Sequence, residues 1–271
     1  MNIKEKKFIA EVWNFYQTHG RHDLPWRKTT NPYRILVSEM MLQQTQVERV
    51  LPKYKAFIQR FSTVQKLSEA SLGEVLVAWQ GLGYNRRAKM LHSCAQMVVS
   101  SYNGVFPETY EGLKELPGIG PYTAGAVMAF AYNKPIPVIE TNIRTVFIHH
   151  FFQDKTDVID AEIVRYIVLT MDQENPREWY WALMDYGSYI KREFGNPNSK
   201  SKHYTKQSKF TGSDRQIRGA ILRELATNIK ATRARMLKRL SAFEDIRVDV
   251  QMEKLEKEGM IIKIKQTYHL P

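Results

Sequence analysis

The sequence predicts an all-α fold followed by a small winged-helix-like α+β module, and three observations carry that reading. From Lys4 to Tyr189 apolar residues recur at spacings of three and four, as in Phe8–Tyr16, Ile35–Met41, Val75–Trp79 and Val164–Leu169. That is the period of helices with one buried face. No run of alternating strands with hairpin turns occurs before residue 240. The composition then changes abruptly at Gly195–Gly212, GNPNSKSKHYTKQSKFTG, which has no apolar period and reads as a basic linker.

Within the helical part, breakers separate the elements at Asn31-Pro32, Pro52, Gly81-Leu82-Gly83, Asn103-Gly104, Pro117-Gly118, Lys134-Pro135 and Asn175-Pro176. Beyond the linker, Ser213 or Asp214 caps a helix through Lys230, with Ile217, Ile221, Leu222 and Leu225 on its apolar face. Thr232–Leu240 is a second short helix, and Val248–Glu258 a third, stopped by Gly259. Met260–Ile264 and Gln266–Leu270 form a two-stranded ribbon across Lys265. Three short helices and a terminal ribbon are the order of a winged helix. A small helical interaction domain is the alternative.

At 271 residues, with 43% apolar and 25% charged, the chain has an ordinary globular balance, which excludes a disordered or fibrous class. No stretch approaches the roughly 18 apolar residues of a membrane span. The start, MNIKEKKFIA, lacks the apolar core of a secretory signal. A single cysteine, Cys94, excludes a disulfide framework and any four-cysteine zinc or iron–sulfur site. A soluble cytoplasmic monomer with no membrane partner and no metal is expected, associated with the nucleoid if the source is bacterial or archaeal.

Charge narrows the partner. The net charge is +12, and Gly187–Leu240 alone holds fourteen Lys+Arg against Glu193, Asp214 and Glu224. One-signed charge over so long a run repels itself unless a polyanion relieves it, so nucleic acid is the expected partner. A merely solvated surface is the alternative.

Three segments carry candidate chemistry. In Leu116-Pro-Gly-Ile-Gly-Pro-Tyr-Thr-Ala-Gly-Ala-Val127, a helix ends before Leu116 and another opens near Tyr122–Thr123. Gly118 and Gly120 permit a tight turn whose N–H groups form a nest for a phosphate. Some twenty residues on, Pro137-Val-Ile-Glu-Thr-Asn-Ile-Arg-Thr-Val146 places Glu140 near a helix start. There an acid reads either as a cap or as a carboxylate that stabilises positive charge on a sugar during base loss. In Leu24-Pro-Trp-Arg-Lys-Thr-Thr-Asn-Pro-Tyr-Arg-Ile-Leu-Val-Ser-Glu-Met-Met-Leu-Gln-Gln-Thr45, Glu39 interrupts an apolar helix face. Taken alone it reads as a core glutamate paired with Arg34 or another cation.

Taken together, Leu24–Val50, Gly81-Leu-Gly-Tyr84, Leu116–Gly125 and Val138–Val146 resemble the helix–hairpin–helix (HhH-GPD) DNA glycosylases, most closely the MutY-type adenine glycosylases of base excision repair. The resemblance covers roughly residues 1–190 and implies a two-lobed all-α glycosylase domain over 1–194. One lobe is a six-helix barrel from about 25 to 134, the other comes from 1–24 plus 135–194, and the linker 195–212 leads to the module 213–271.

The resemblance also implies roles. Glu39 is the acid that protonates the departing base, Glu140 the carboxylate that stabilises the sugar cation, and Asn142 the residue that orients the site. Tyr122 stands where bifunctional relatives carry a lysine nucleophile, which implies a monofunctional enzyme using water. Gln44 is implied to wedge into the duplex, Trp26 and Arg27 to line the base pocket, and Gly118 and Gly120 to hold DNA. The departures are specific. Glu140 replaces the usual Asp, and Asn85 stands where an intercalating Tyr usually follows Gly-Leu-Gly-Tyr. After Met184-Asp-Tyr-Gly187 the family's cluster cysteines give way to Tyr189-Ile-Lys-Arg-Glu-Phe194, so no [4Fe–4S] cofactor is expected. Lys191 and Arg192 are expected to contact DNA in its stead. The short basic module is expected in place of the family's large 8-oxoguanine-reading domain. The expected substrate is double-stranded DNA with adenine opposite guanine or 8-oxoguanine. A thymine or uracil glycosylase acting opposite guanine, or a catalytically inactive DNA-binding protein on the same scaffold, is the alternative.

Overall fold

The helical spacing is realised as fourteen α-helices among the described residues of a computed structural model, which covers 1–207 and 209–271. They are α1 (Ile3–His19), α2 (Pro32–Leu42), α3 (Val47–Arg60), α4 (Val64–Glu69), α5 (Leu72–Ala78), α6 (Arg86–Tyr102) and α7 (Tyr110–Glu115). There follow α8 (Pro121–Phe130), α9 (Thr141–Phe151), α10 (Asp160–Thr170), α11 (Pro176–Glu193), α12 (Asp214–Asn228), α13 (Arg233–Arg239) and α14 (Asp245–Lys257). Three short strands, β1 (Lys230–Thr232), β2 (Ile262–Ile264) and β3 (Thr267–His269), complete the list. Local chemistry sets several starts: Asn2 and Glu5 cap α1 reciprocally, as Ser71 and Glu74 cap α5.

The chain divides into two compact units. The first comprises Met1–Leu36, Pro107–Glu115 and Ile119–Lys206. Here α11 packs along both α1 and α9. The Phe8 ring lies 5.3 Å from Phe147 and 6.1 Å, edge-on, from Trp179. Trp179, Tyr180, Phe147 and Val12 are fully buried, an aromatic core of the kind that dominates burial energy. Asp185 of α11, also buried, accepts from Arg27 at 2.7 and 2.9 Å and from Arg21 at 2.7 and 2.8 Å. Burial acts to raise the Asp185 carboxyl, but the two guanidiniums outweigh it and hold the group below its usual range.

The second unit comprises Val37–Phe106, Leu116–Gly118 and Gln207–Pro271. Its core is the packing of α4 and α5 on α6, around Trp79, Phe57, Leu67, Leu76 and Leu91. The C-terminal residues belong to this same unit: α12 packs on α5 and α14, and Ile217, Ile221, Leu222 and Leu225 are buried as their spacing indicated. The Gly73 amide donates to Pro271 O at 2.8 Å, and a Cβ at Gly73 would stand 2.6 Å from that oxygen. Only glycine lets the chain come this near. The helix and strand order of residues 214–269 is that of a winged helix, with a three-stranded antiparallel sheet in the order β1-β3-β2.

Three expectations are corrected. First, 213–271 does not stand apart but clusters with 37–106 in one unit. Second, the helix expected through Lys230 stops at Asn228 and the ribbon gains a third strand: Ile229 turns at φ +62°, and Lys230–Thr232 pairs with Thr267–His269. A three-residue strand is too short to show a period of two. Third, the first half of the expected linker is built onto the first unit. Val158 exchanges backbone hydrogen bonds with Lys200 and Lys202, and Asn198 and Ser201 are buried. Ser208 of that linker lies outside the described residues. The charge run is also partly neutralised within the fold. Arg233 pairs with Asp249, Arg235 and Arg239 with Glu224, and Arg218 with Glu258.

Candidate functional site

In the first unit the candidate carboxylate is set by its own helix. Glu140 is the N-cap of α9 with extended backbone, and its Oε1 accepts from the Asn142 and Ile143 amides at 2.7 and 2.8 Å. Asn142 Nδ2 donates to Oε2 at 3.3 Å. The positive end of the helix therefore faces the carboxylate, which remains partly accessible. The approach to Glu140 is anchored as well. Buried Tyr180 donates to Ile136 O at 2.8 Å and accepts from the Val138 amide at 3.0 Å. Arg144, one turn into α9, is matched by Asp160 through two bonds of 2.8 Å.

Of the residues expected around the base, Trp26 is buried in a 3-10 turn at Pro25–Arg27. Arg27 lies over the Trp181 ring at 5.4 Å, and its guanidinium is engaged by Asp185. Its nearest work is thus to fix Pro25–Arg27 on α11. Tyr122 sits in the first turn of α8, which Gly120 opens with no capping side chain and Pro121 with no N–H. A Cβ at Gly120 meets nothing within 4 Å, so the backbone there is open to close approach.

In the second unit, Gly118 adopts φ +78°, and a Cβ there would stand 2.5 Å from that of Met90. Glycine is required on both counts. Glu39 is 5% exposed on α2, among Val37, Met40 and Met41. Gln44, the expected wedge, and Tyr84, the end of the Gly81–Tyr84 turn, are both non-glycine residues at positive φ, +54° and +46°. Such backbone persists only where its surroundings over-determine it, and it concentrates at binding sites.

Arg87 is what over-determines it. Its guanidinium donates to the carbonyls of Met40, Met41 and Gln43 at 2.6 to 3.0 Å, to those of Leu82 and Gly83, and to Thr45 Oγ1, all three at 3.2 Å. It thereby closes the C-terminal end of α2, where carbonyls lack helical partners, and ties it to the Gly81–Tyr84 turn. Burial lowers the Arg87 pKa to about 10, so it stays cationic at neutral pH. The Tyr84 ring has Arg87 at 5.5 Å and Arg215 at 5.3 Å, and its hydroxyl accepts from Arg215 and Gln207. Gln207 also reaches Gln44 at 3.3 Å. A groove of about 420 Å³ runs here, lined by Gln44, Tyr84, Asn85, Arg86, Arg215 and Arg218 among others.

The Lys191 ammonium donates to Asn142, and the Arg192 guanidinium bonds Glu193. The sequence reading did not single out Arg87, Tyr180, Asp185 or Arg215 as site residues. Arg87 stands three positions after Tyr84, and Asp185 lies inside the Met184–Gly187 stretch, so position marked both where residue type did not.

The donor set for a [4Fe–4S] cluster does not fit. The chain has one cysteine, Cys94, buried in α6 with its thiol pushed up to about 12. Where the family places cluster ligands, the end of α11 carries Lys191 on Asn142. No helix among the described residues is long and apolar enough to cross a membrane.

The model of the HhH-GPD superfamily of base excision DNA repair proteins matches residues 37–167. An adenine DNA glycosylase of Mycobacterium tuberculosis is 37% identical over 244 residues, 82% of this chain and 80% of that protein. One from Mycolicibacterium smegmatis is 38% identical over 234 residues, covering 79% and 78%. The chain spans about half the length of a Buchnera aphidicola adenine DNA glycosylase, 52%, at 36% identity over 187 residues. Among solved structures, a thermostable thymine-DNA glycosylase superposes with TM-score 0.62 at 26% identity, over 68% of this chain and 86% of that one. Endonuclease III, in a non-covalent DNA complex, superposes with TM-score 0.60 at 19% identity, over 71% and 89%. The chain belongs to the adenine DNA glycosylase family, within the HhH-GPD superfamily of base excision DNA repair proteins.

Proposed function

We propose that this chain is a monofunctional glycosylase that removes adenine opposite guanine or 8-oxoguanine in duplex DNA. The observation that carries the reading is Glu140, a partly accessible carboxylate held in one orientation by two backbone amides and Asn142. In this reading Glu39 gives a proton to the adenine ring, and the C1′–N9 bond breaks with its electron pair leaving on the base. Glu140 stabilises the cationic sugar, and water adds at C1′ with loss of a proton. Buried polar groups that recognise a base require it out of the stack, and the wedge at Gln44 serves that step. The arginines of the groove and the open backbone at Gly120 supply phosphate contacts.

A panel of duplexes carrying each candidate mispair, scored for abasic sites after alkali, tests this directly. Adenine loss from the guanine or 8-oxoguanine duplex that disappears in Glu140→Gln supports it; full activity of Glu140→Gln refutes it. Borohydride should trap no covalent complex, because Tyr122 offers no amine. The second reading, thymine or uracil release opposite guanine, is favoured by the likeness to the thymine-DNA glycosylase. The same panel separates the two.

A further inference from the structure

The last turn of α11 meets the start of α9, and one side chain spans the junction. Lys191 Nζ donates to Asn142 Oδ1 at 2.8 Å. A carboxamide has an accepting end and a donating end, and its surroundings decide which faces where. An ammonium only donates, so Lys191 claims the oxygen and aims Nδ2 at Glu140 Oε2, 3.3 Å away. We propose that Lys191 is a positioning residue for base release, orienting Asn142 and, through it, the Glu140 carboxylate, while adding a positive charge beside them.

Two further features show that the junction is built for close approach. One turn earlier in α11, a Cβ at Gly187 would stand 2.2 Å from Asn142 O, so the helices come this near only with glycine there. A lysine stem at a helix end ordinarily carries its ammonium to water. Here burial lowers the Lys191 pKa, Glu140 acts against that shift, and the like charge of Arg144 adds to it. Lys191 of α11 thus interacts with the charges of both Glu140 and Arg144. Arg144 is matched by Asp160, whereas the partner of Lys191 is a neutral amide.

The inference rests on Glu140 acting at the sugar, and the test separates the two. Single-turnover adenine release is measured on a duplex with adenine opposite 8-oxoguanine, for the full-length wild type, Lys191→Met, Lys191→Arg and Glu140→Gln. Affinity is measured on the same duplex with a 2′-fluorinated adenosine that resists cleavage, and thermal melting is followed alongside. Lys191→Met should slow release by about tenfold or more, since a small misplacement of a reacting group is costly. Its affinity should stay within about threefold. Lys191→Arg should recover most of the rate. A Lys191→Met rate within about twofold of wild type, with Glu140→Gln silent, overturns the proposal alone. A slowed Lys191→Met that Lys191→Arg does not rescue and whose melting temperature falls shows a merely structural lysine and overturns it too. Wild-type release by Glu140→Gln overturns the placement of the chemistry and the proposal with it.

Discussion

Arg87→Met is the most quantitative test of how the turns at Gln44 and Gly81–Tyr84 are held. The substitution keeps the apolar stem and removes the four N–H donors of the two terminal nitrogens, which are shared among five backbone carbonyls and Thr45 Oγ1. At a net ~1.5 kcal/mol for each hydrogen bond from a charged donor, the four N–H groups come to about 6 kcal/mol. Against it, the cation's burial lowers its pKa from 12.5 to about 10. At 1.36 kcal/mol per pKa unit that is roughly 3 kcal/mol, from which methionine is relieved. The expected destabilisation is about 3 kcal/mol, or a melting temperature lower by about 5 °C for a chain of this length. Differential scanning calorimetry and urea unfolding read it. Arg87→Lys, with three donors and no planar fork, satisfies fewer of the six acceptors and should fall between wild type and methionine. A drop below about 1 °C for Arg87→Met refutes the view that these carbonyls depend on Arg87.

Other perturbations test neighbouring parts of the argument. Asp185→Asn leaves Arg21 and Arg27 without a charged partner, and, since Arg27 is buried, should cost about 3 kcal/mol or more in urea unfolding. Because the Asp185 carboxyl is held below its usual value, its stabilisation is present above about pH 4 and is lost as pH falls through the folded value, so the variant should show a flatter acid limb. His150, packed against Phe8, Tyr186 and Phe151, has its pKa pushed down to about 4 by burial, with Glu11 opposing and His149 and Lys4 reinforcing. A depressed histidine contributes stability fully present above pH 6.5 and lost progressively toward pH 4; His150→Gln should remove that slope, and an unchanged slope refutes the assignment. Replacing the exposed Lys202, Lys206 and Lys209 with Gln should make the plot of log affinity against log salt shallower by up to about 3 on duplex DNA, while leaving base release from bound substrate unchanged. Equal slopes would remove these lysines from the DNA interface.

The sequence by itself determined the features written in short range. Helical periods, the Gly118–Gly120 turn, the cap at Glu140 and the helix order of the last sixty residues each depend on neighbours within about ten positions, where periodicity and turn chemistry act. Glu140 was legible as a cap because an acid just before a helix start reaches that helix's first free amides. Only the tertiary structure decided where the cations go. Arg87 meets carbonyls more than forty residues upstream, Asp185 meets Arg21 across 164 residues, and Lys191 meets Asn142 across 49. A run of lysines and arginines reads the same whether its members end on phosphates, carboxylates or a carboxamide. The outcome depends on which acceptor the fold brings within about 3 Å, and that is a property of packing between distant segments. The same reason hid β1, whose three residues become a strand only because Tyr268 and its neighbours arrive beside them.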